Sequence, residues 1–193
     1  MSRTRRTFIT QGIAVSGVGL LSLAAGGYGR VSCLPGTATA SAAPRALTDE
    51  NFATLEALGE VLLPGSARDG IAHYVDYQLS VPLEENLLMI RYLGVSPPFT
   101  EFYRAGLIGL EAAANRQSGK RFHMLSAGDS QTLVTQMAGG TIAGWSGPPS
   151  AVFYFAVRND AIDVVYGTQP GFQRLNVPYM AHIVPPTPWG ENG

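Results

Sequence analysis

The residue types that carry most enzymatic chemistry are thin in this chain: three histidines, His73, His123 and His182, and a single cysteine, Cys33. The histidines are far apart, and none stands in a His-Glu-x-x-His or similar metal-binding spacing. His73 and Asp76 share a helix face at i, i+3, a pattern that fits two metal ligands or an ordinary surface pair. Ser146 and Ser150 lie in a loop of glycine and proline, but no Gly-x-Ser-x-Gly elbow surrounds either. Glu84 and Glu85 are adjacent, so on a helix they diverge rather than form an acid–base pair. Gly17-Val18-Gly19 imitates the start of a dinucleotide fingerprint, yet it lacks a third glycine and sits in an apolar N-terminal stretch rather than a strand–helix turn. One cysteine excludes a disulfide framework within the chain, a thiolate cluster and a Cys-x-x-Cys-His haem attachment. No catalytic, metal-binding or cofactor-binding residue is therefore expected on this chain.

The first 42 residues have the order of a targeting segment. Arg3, Arg5 and Arg6 form a basic start, an apolar stretch runs from Gly12 to about Ala25, and small residues follow up to Ala43. Thr4-Arg5-Arg6-Thr7-Phe8-Ile9 resembles the twin-arginine export motif, with Arg5, Arg6 and Phe8 as its defining residues. Glycines dilute the apolar stretch, which falls short of the roughly 20 apolar residues a spanning helix needs. The expected partner of this segment is the twin-arginine translocase, and the expected working place is the periplasm.

Four of the 13 basic residues and none of the 14 acidic ones fall in that segment, so the remainder carries 9 against 14, a net of −5. An acidic body argues against nucleic acid as a partner, since such binding calls for a basic stripe.

The elements that must position any site read as helices. Thr48 is a good N-cap, followed by acidic Asp49 and Glu50, and Phe52, Leu55, Leu58 and Leu62 line one face until Pro64-Gly65. A second helix is expected over Arg68 to Ser80. The third spans Pro97 to Ser118, where Phe99, Phe102, Tyr103, Gly106, Leu107, Leu110, Ala113 and Ala114 keep helical spacing and Gly119 closes the run. Ser126 and Asp129 predict the start of a fourth helix carrying Leu133, Val134 and Met137. The expected fold is mainly α: a compact irregular helical domain of about five helices over 43–167, with an extended Pro/aromatic-rich tail over 168–193.

The fifth helix, about Ser150 to Tyr166, carries two apolar rows on nearly opposite sides. Phe155, Ile162 and Tyr166 form one; Phe153, Val157 and Val164 form the other. Either both are buried by the domain itself or one meets another protein. The tail, with five prolines among Phe172, Tyr179 and Trp189, lies along its own domain or clasps a partner. Candidate partner contacts are Phe153, Val157, Val164, Phe172, Tyr179 and Trp189.

A signal for exporting folded cargo on a chain with no visible cofactor site points to an escort for a partner without a leader. Several short runs carry a resemblance to a known family. They are the twin-arginine leader, Leu55-Glu56-Ala57-Leu58 running to Leu62-Leu63-Pro64, Gly70-Ile71 with Tyr74-Val75-Asp76-x-Gln78-Leu79, Phe102-Tyr103-Arg104-x-Gly106-Leu107, and Val165-Tyr166-Gly167 before the tail. In this order they resemble the small subunit (subunit 3, or gamma) of membrane-bound gluconate 2-dehydrogenase and related flavin-dependent sugar and polyol dehydrogenases. Family members commonly follow the last Tyr-Gly with a second glycine and an asparagine, where this chain has Thr168 and Gln169.

The resemblance implies a three-part enzyme at the outer face of the inner membrane. A large FAD-binding dehydrogenase subunit oxidises D-gluconate, a multihaem cytochrome c subunit passes electrons to quinone, and the small subunit serves export and assembly. FAD and haem c then belong to the partners. The other reading is a stand-alone exported enzyme or binding protein, with a site around His73, Asp76 and Tyr103.

Overall fold

The computed structural model describes residues 44–178, which hold six α-helices and three short 3-10 turns and, among the described residues, no strand. Helix α1 (Asp49–Leu62) starts where a cap is available: Thr48 Oγ1 accepts the Asn51 N–H at 3.2 Å, with Asp49 and Glu50 against the positive helix end. Leu55 and Leu58 are fully buried, while Phe52 and Leu62 lie at the edge of the core.

Helix α2 (Ile71–Ser80) starts three residues later than the apolar spacing predicts. Residues 64–70 form a turn in which the Glu60 carboxylate accepts the N–H groups of Gly65 and Ala67. Gly70 closes that turn at φ 90°, a left-handed conformation that a side chain resists.

Helix α3 (Phe99–Ser118) buries the predicted row, and Gly119 closes it with its N–H on Asn115 O. Helix α4 (Ala127–Ala138) is capped by Ser126, whose Oγ accepts the Asp129 N–H at 3.2 Å. Helix α5 (Ser150–Tyr166) is central: it packs against α1, α2, α3, α4 and the 3-10 turn Met89–Tyr92.

The two rows of α5 have opposite fates. Phe153, Val157 and Val164 are the inner row, at most 1% exposed, and they face the chain's own core. The cause lies on α3. A Cβ at Gly106 would stand 2.4 Å from the Phe153 ring, so only glycine there lets the ring seat. Phe102, Tyr103 and Trp145 surround it, with ring centroids 5.9, 6.4 and 6.3 Å away. Burying a phenylalanine this fully stabilises the fold by about 1.5–3 kcal/mol. Phe155 of the outer row is 44% exposed, and Ile162 and Tyr166 are half-buried.

The segment after Gly167 also departs from expectation. Gln169–Arg174 form a sixth helix, α6, instead of the start of an extended tail. Thr168 caps it by accepting the Gly171 N–H at 3.1 Å, and Pro170 sits in the first turn, where its missing N–H costs no helix bond. Arg174 fastens α6 to the body through Asp69 Oδ2 at 2.7 Å and Val165 O at 2.9 Å. Phe172 lies half-buried on α6. Arg5, Arg6, Phe8, Tyr179 and Trp189 lie outside the described residues.

Candidate functional site

Asp160 is a charged residue type placed in the core. Its position continues the inner row of α5 at i, i+4, i+7 and i+11 with Phe153, Val157 and Val164, so the helix carries a carboxyl into the core. It is fully buried. A buried carboxyl needs partners, and two separate elements supply them. Tyr103 of α3 donates its hydroxyl to Oδ2 at 2.5 Å, and the Met89 N–H of the 3-10 turn donates to Oδ1 at 3.0 Å.

Burial pushes the Asp160 carboxyl up to about 7, with the nearby Asp163 charge adding to the rise, against the opposing pull of the Tyr103 and Met89 hydrogen bonds. Burial also raises Asp163. Tyr103 and Tyr74 are pushed up by burial first and then by the Asp160 charge. A carboxyl poised near neutrality has the property of a general acid or base. Here both oxygens are engaged and neither reaches solvent, so what the arrangement does is tie α3, α5 and the Met89–Tyr92 turn together.

Two other carboxylates act the same way. Asp76 of α2 accepts three successive backbone N–H groups: Arg45 on Oδ2 at 2.8 Å, and Ala46 and Leu47 on Oδ1 at 2.9 and 2.8 Å. Arg104 of α3 completes this clamp, donating from Nε to Ala46 O at 3.1 Å and from Nη2 to the same oxygen. Glu111 of α3 accepts the Thr54 hydroxyl of α1 at 2.7 Å and the Phe122 N–H at 3.2 Å, joining two elements to its own.

These contacts separate the residues that the stand-alone reading would group. Asp76 is turned to residues 45–47 and Tyr103 to Asp160, while His73 packs edge-on against Phe52 with centroids 4.7 Å apart. Ser150 is buried and donates to Met137 O at 3.0 Å; Ser146, His123, Glu84 and Glu85 are exposed. Asp160 and Glu111 went unnoticed in the sequence, yet an acid at a core register of an apolar row was a legible signal for the first.

Among the described residues no grouping of His, Cys, Asp and Glu is arranged to hold a metal ion, and no helix is long and apolar enough to cross a membrane. A shallow cleft of about 330 Å³ is lined by Ala113, Arg116, Gln117, Ala143 and Gly144. Its one guanidinium donates to Ala143 O at 3.1 Å. The cleft presents no acid or nucleophile beside it.

Comparison with known proteins gives a family match. No curated protein and no solved structure matches the chain. The family model for gluconate 2-dehydrogenase subunit 3 matches residues 49–183, from the first residue of α1 to beyond α6. The short runs quoted above that lie after the leader fall inside this span, together with Asp160 and Glu111. The chain belongs to the gluconate 2-dehydrogenase subunit 3 family.

Proposed function

We propose that this chain is the small, non-catalytic subunit of a periplasm-facing, FAD-dependent gluconate 2-dehydrogenase complex, and that its leader takes the large flavoprotein subunit through the twin-arginine route. The observation that carries this reading is the family match over the whole helical body. The leader motif around Arg5 and Arg6 supplies the export half of the argument. D-gluconate would be oxidised to 2-dehydro-D-gluconate on the flavin of the large subunit. Electrons would then pass to the multihaem cytochrome c subunit and on to quinone.

Neither cofactor is assigned to this chain. A single cysteine cannot build a Cys-x-x-Cys-His attachment for haem c. The acidic residues at the centre of the body hold backbone amides and a tyrosine rather than line a cradle for a nucleotide.

Co-purification tests the assembly. The chain, tagged at its C-terminus and extracted from membranes, should bring down a flavoprotein; recovery as a flavin-free monomer refutes the proposal. Export is tested with Arg5→Lys combined with Arg6→Lys. Dye-linked gluconate oxidation at the cell surface should disappear, with the flavoprotein retained in the cytoplasm or degraded. Unchanged surface activity would show that this leader does not carry the complex.

A further inference from the structure

The clamp on residues 45–47 stands directly before the first helix and directly after the leader. It draws on two helices: Asp76 and Tyr77 from α2 and Arg104 from α3. Asp76 is 5% exposed and holds the three N–H groups, and Arg104 holds the Ala46 carbonyl. The Arg45 guanidinium lies over the Tyr77 ring, 5.5 Å from its centroid, and Leu47 is buried in the core. Nothing in the Asp160 hub or in the packing of α5 requires so many bonds on three residues that precede every described helix.

Endopeptidases bind the strand they cut in extended form, using its backbone N–H and C=O groups for pairing. On Arg45, Ala46 and Leu47 those N–H groups are already taken, and freeing them means leaving a buried carboxylate without its donors. We propose that this clamp fixes the border between a removable leader and a permanent body. Cleavage is confined to bonds before Pro44, and every bond from Arg45 to the start of α1 is closed while the body is folded. This rests on the export reading of residues 1–42.

A peptidase that reads small residues first and third before the cut has two bonds before Pro44, Ala40–Ser41 after Ala38-Thr39-Ala40, and Ala42–Ala43 after Ala40-Ser41-Ala42. Hydrolysis of either bond adds the hydroxyl of one water to the leader's new carboxyl end and its hydrogen to the body's new amine. The mature chain then begins at Ser41 or Ala43, and its clamp is untouched. Since α2 and α3 must be packed for the clamp to exist, the border forms only on a folded body.

Two experiments test this, one of them independent of export. Trypsin added to the folded full-length chain should cut Arg45–Ala46 at least about tenfold more slowly than it cuts the same bond in a short peptide of the sequence around Arg45, because cleavage tracks the open fraction of the site. In urea the chain and the peptide should be cut alike. Asp76→Ala should open Arg45–Ala46 in the folded protein; Arg104→Gln, which leaves the buried carboxylate in place, should do so more weakly and covers the case in which the first variant does not fold. Equal rates for the folded wild type and the peptide, or slower cutting of the chain than of the peptide in urea as well, would overturn the proposal. The second experiment is the N-terminal mass of the exported chain. A start at Ser41 or Ala43 supports the border. An exported chain that keeps its leader, or that starts at Ala46 or later, refutes the border and leaves export standing. A chain that is not exported refutes the export reading, and with it the leader's removal, while the trypsin result still decides the clamp.

Discussion

Asp160→Asn isolates the electrostatic cost of the buried hub. The carboxyl is held up to about 7 against an ordinary 3.8, mainly by burial. A carboxyl with a raised folded-state value binds more protons folded than unfolded between those two values. Stability contributed by the neutral form is therefore full below the unfolded value and is lost as pH rises through the folded one. Between about pH 5 and about pH 8 this single group should remove roughly 2–3 kcal/mol of stability. Asparagine keeps the shape and one acceptor for the Met89 N–H, and its amide can donate to the Tyr103 oxygen, but it does not titrate in this range. The assay is urea unfolding of wild type and variant at a series of pH values. The wild type should lose stability relative to Asp160→Asn as pH rises, with the steepest change below neutrality and a plateau above it. Parallel curves would show that Asp160 ionises at its ordinary value, and that the hub is wetter than its geometry indicates.

Other positions give sharper single outcomes. Gly106→Ala should destabilise by about 1–3 kcal/mol in denaturant unfolding, because the added methyl meets the Phe153 ring at 2.4 Å; an unchanged midpoint would refute that close approach. Phe153→Ala should cost about 3–5 kcal/mol, whereas Phe155→Asp should leave the unfolding midpoint nearly unchanged, since that ring is 44% exposed. Similar losses from both variants would refute the inner and outer assignment. Tyr103→Phe leaves Asp160 with one donor and should cost about 1–3 kcal/mol at pH above neutrality and less in acid, where the carboxyl is neutral, as read by thermal melts. Arg174→Ala removes two bonds to an exposed side and should speed hydrogen exchange in α6 while leaving α1 to α5 protected.

The helices that formed where the sequence placed them carry their signals locally. Thr48 and Ser126 provide caps, and α3 keeps one unbroken apolar row. The rest depended on contacts distant in sequence. On α5 the two rows are equally apolar, so periodicity could not say which faced inward; the choice is made by Gly106, 47 positions before Phe153, whose missing Cβ leaves room for the ring. The helix at Gln169–Arg174 was hidden by reading Pro170 as a breaker, although a proline in a capped first turn breaks nothing. Asp160 was legible in principle, because an acid at a core register announces a buried partner. The partner's identity was not, since Tyr103 lies 57 positions away. Asp76 was noticed for the wrong neighbour: its helix-mate His73 packs on Phe52, while its carboxylate turns to residues some 30 positions earlier.

A carboxylate has two oxygens with about four acceptor sites, so one side chain can pin several loop amides at once. Asp76 holds three, and Glu60, Glu111 and Asp160 fasten other irregular segments in the same manner. In a body with no cysteine after Cys33 these bonds do what cross-links do in many small exported domains. The two devices differ in when they can form. A disulfide waits for an oxidising compartment, whereas a carboxylate clamp closes as soon as the helices pack. A chain braced in this way can complete its fold before it leaves the cytoplasm, which is the condition that the proposed twin-arginine route imposes on it and on any subunit it takes along.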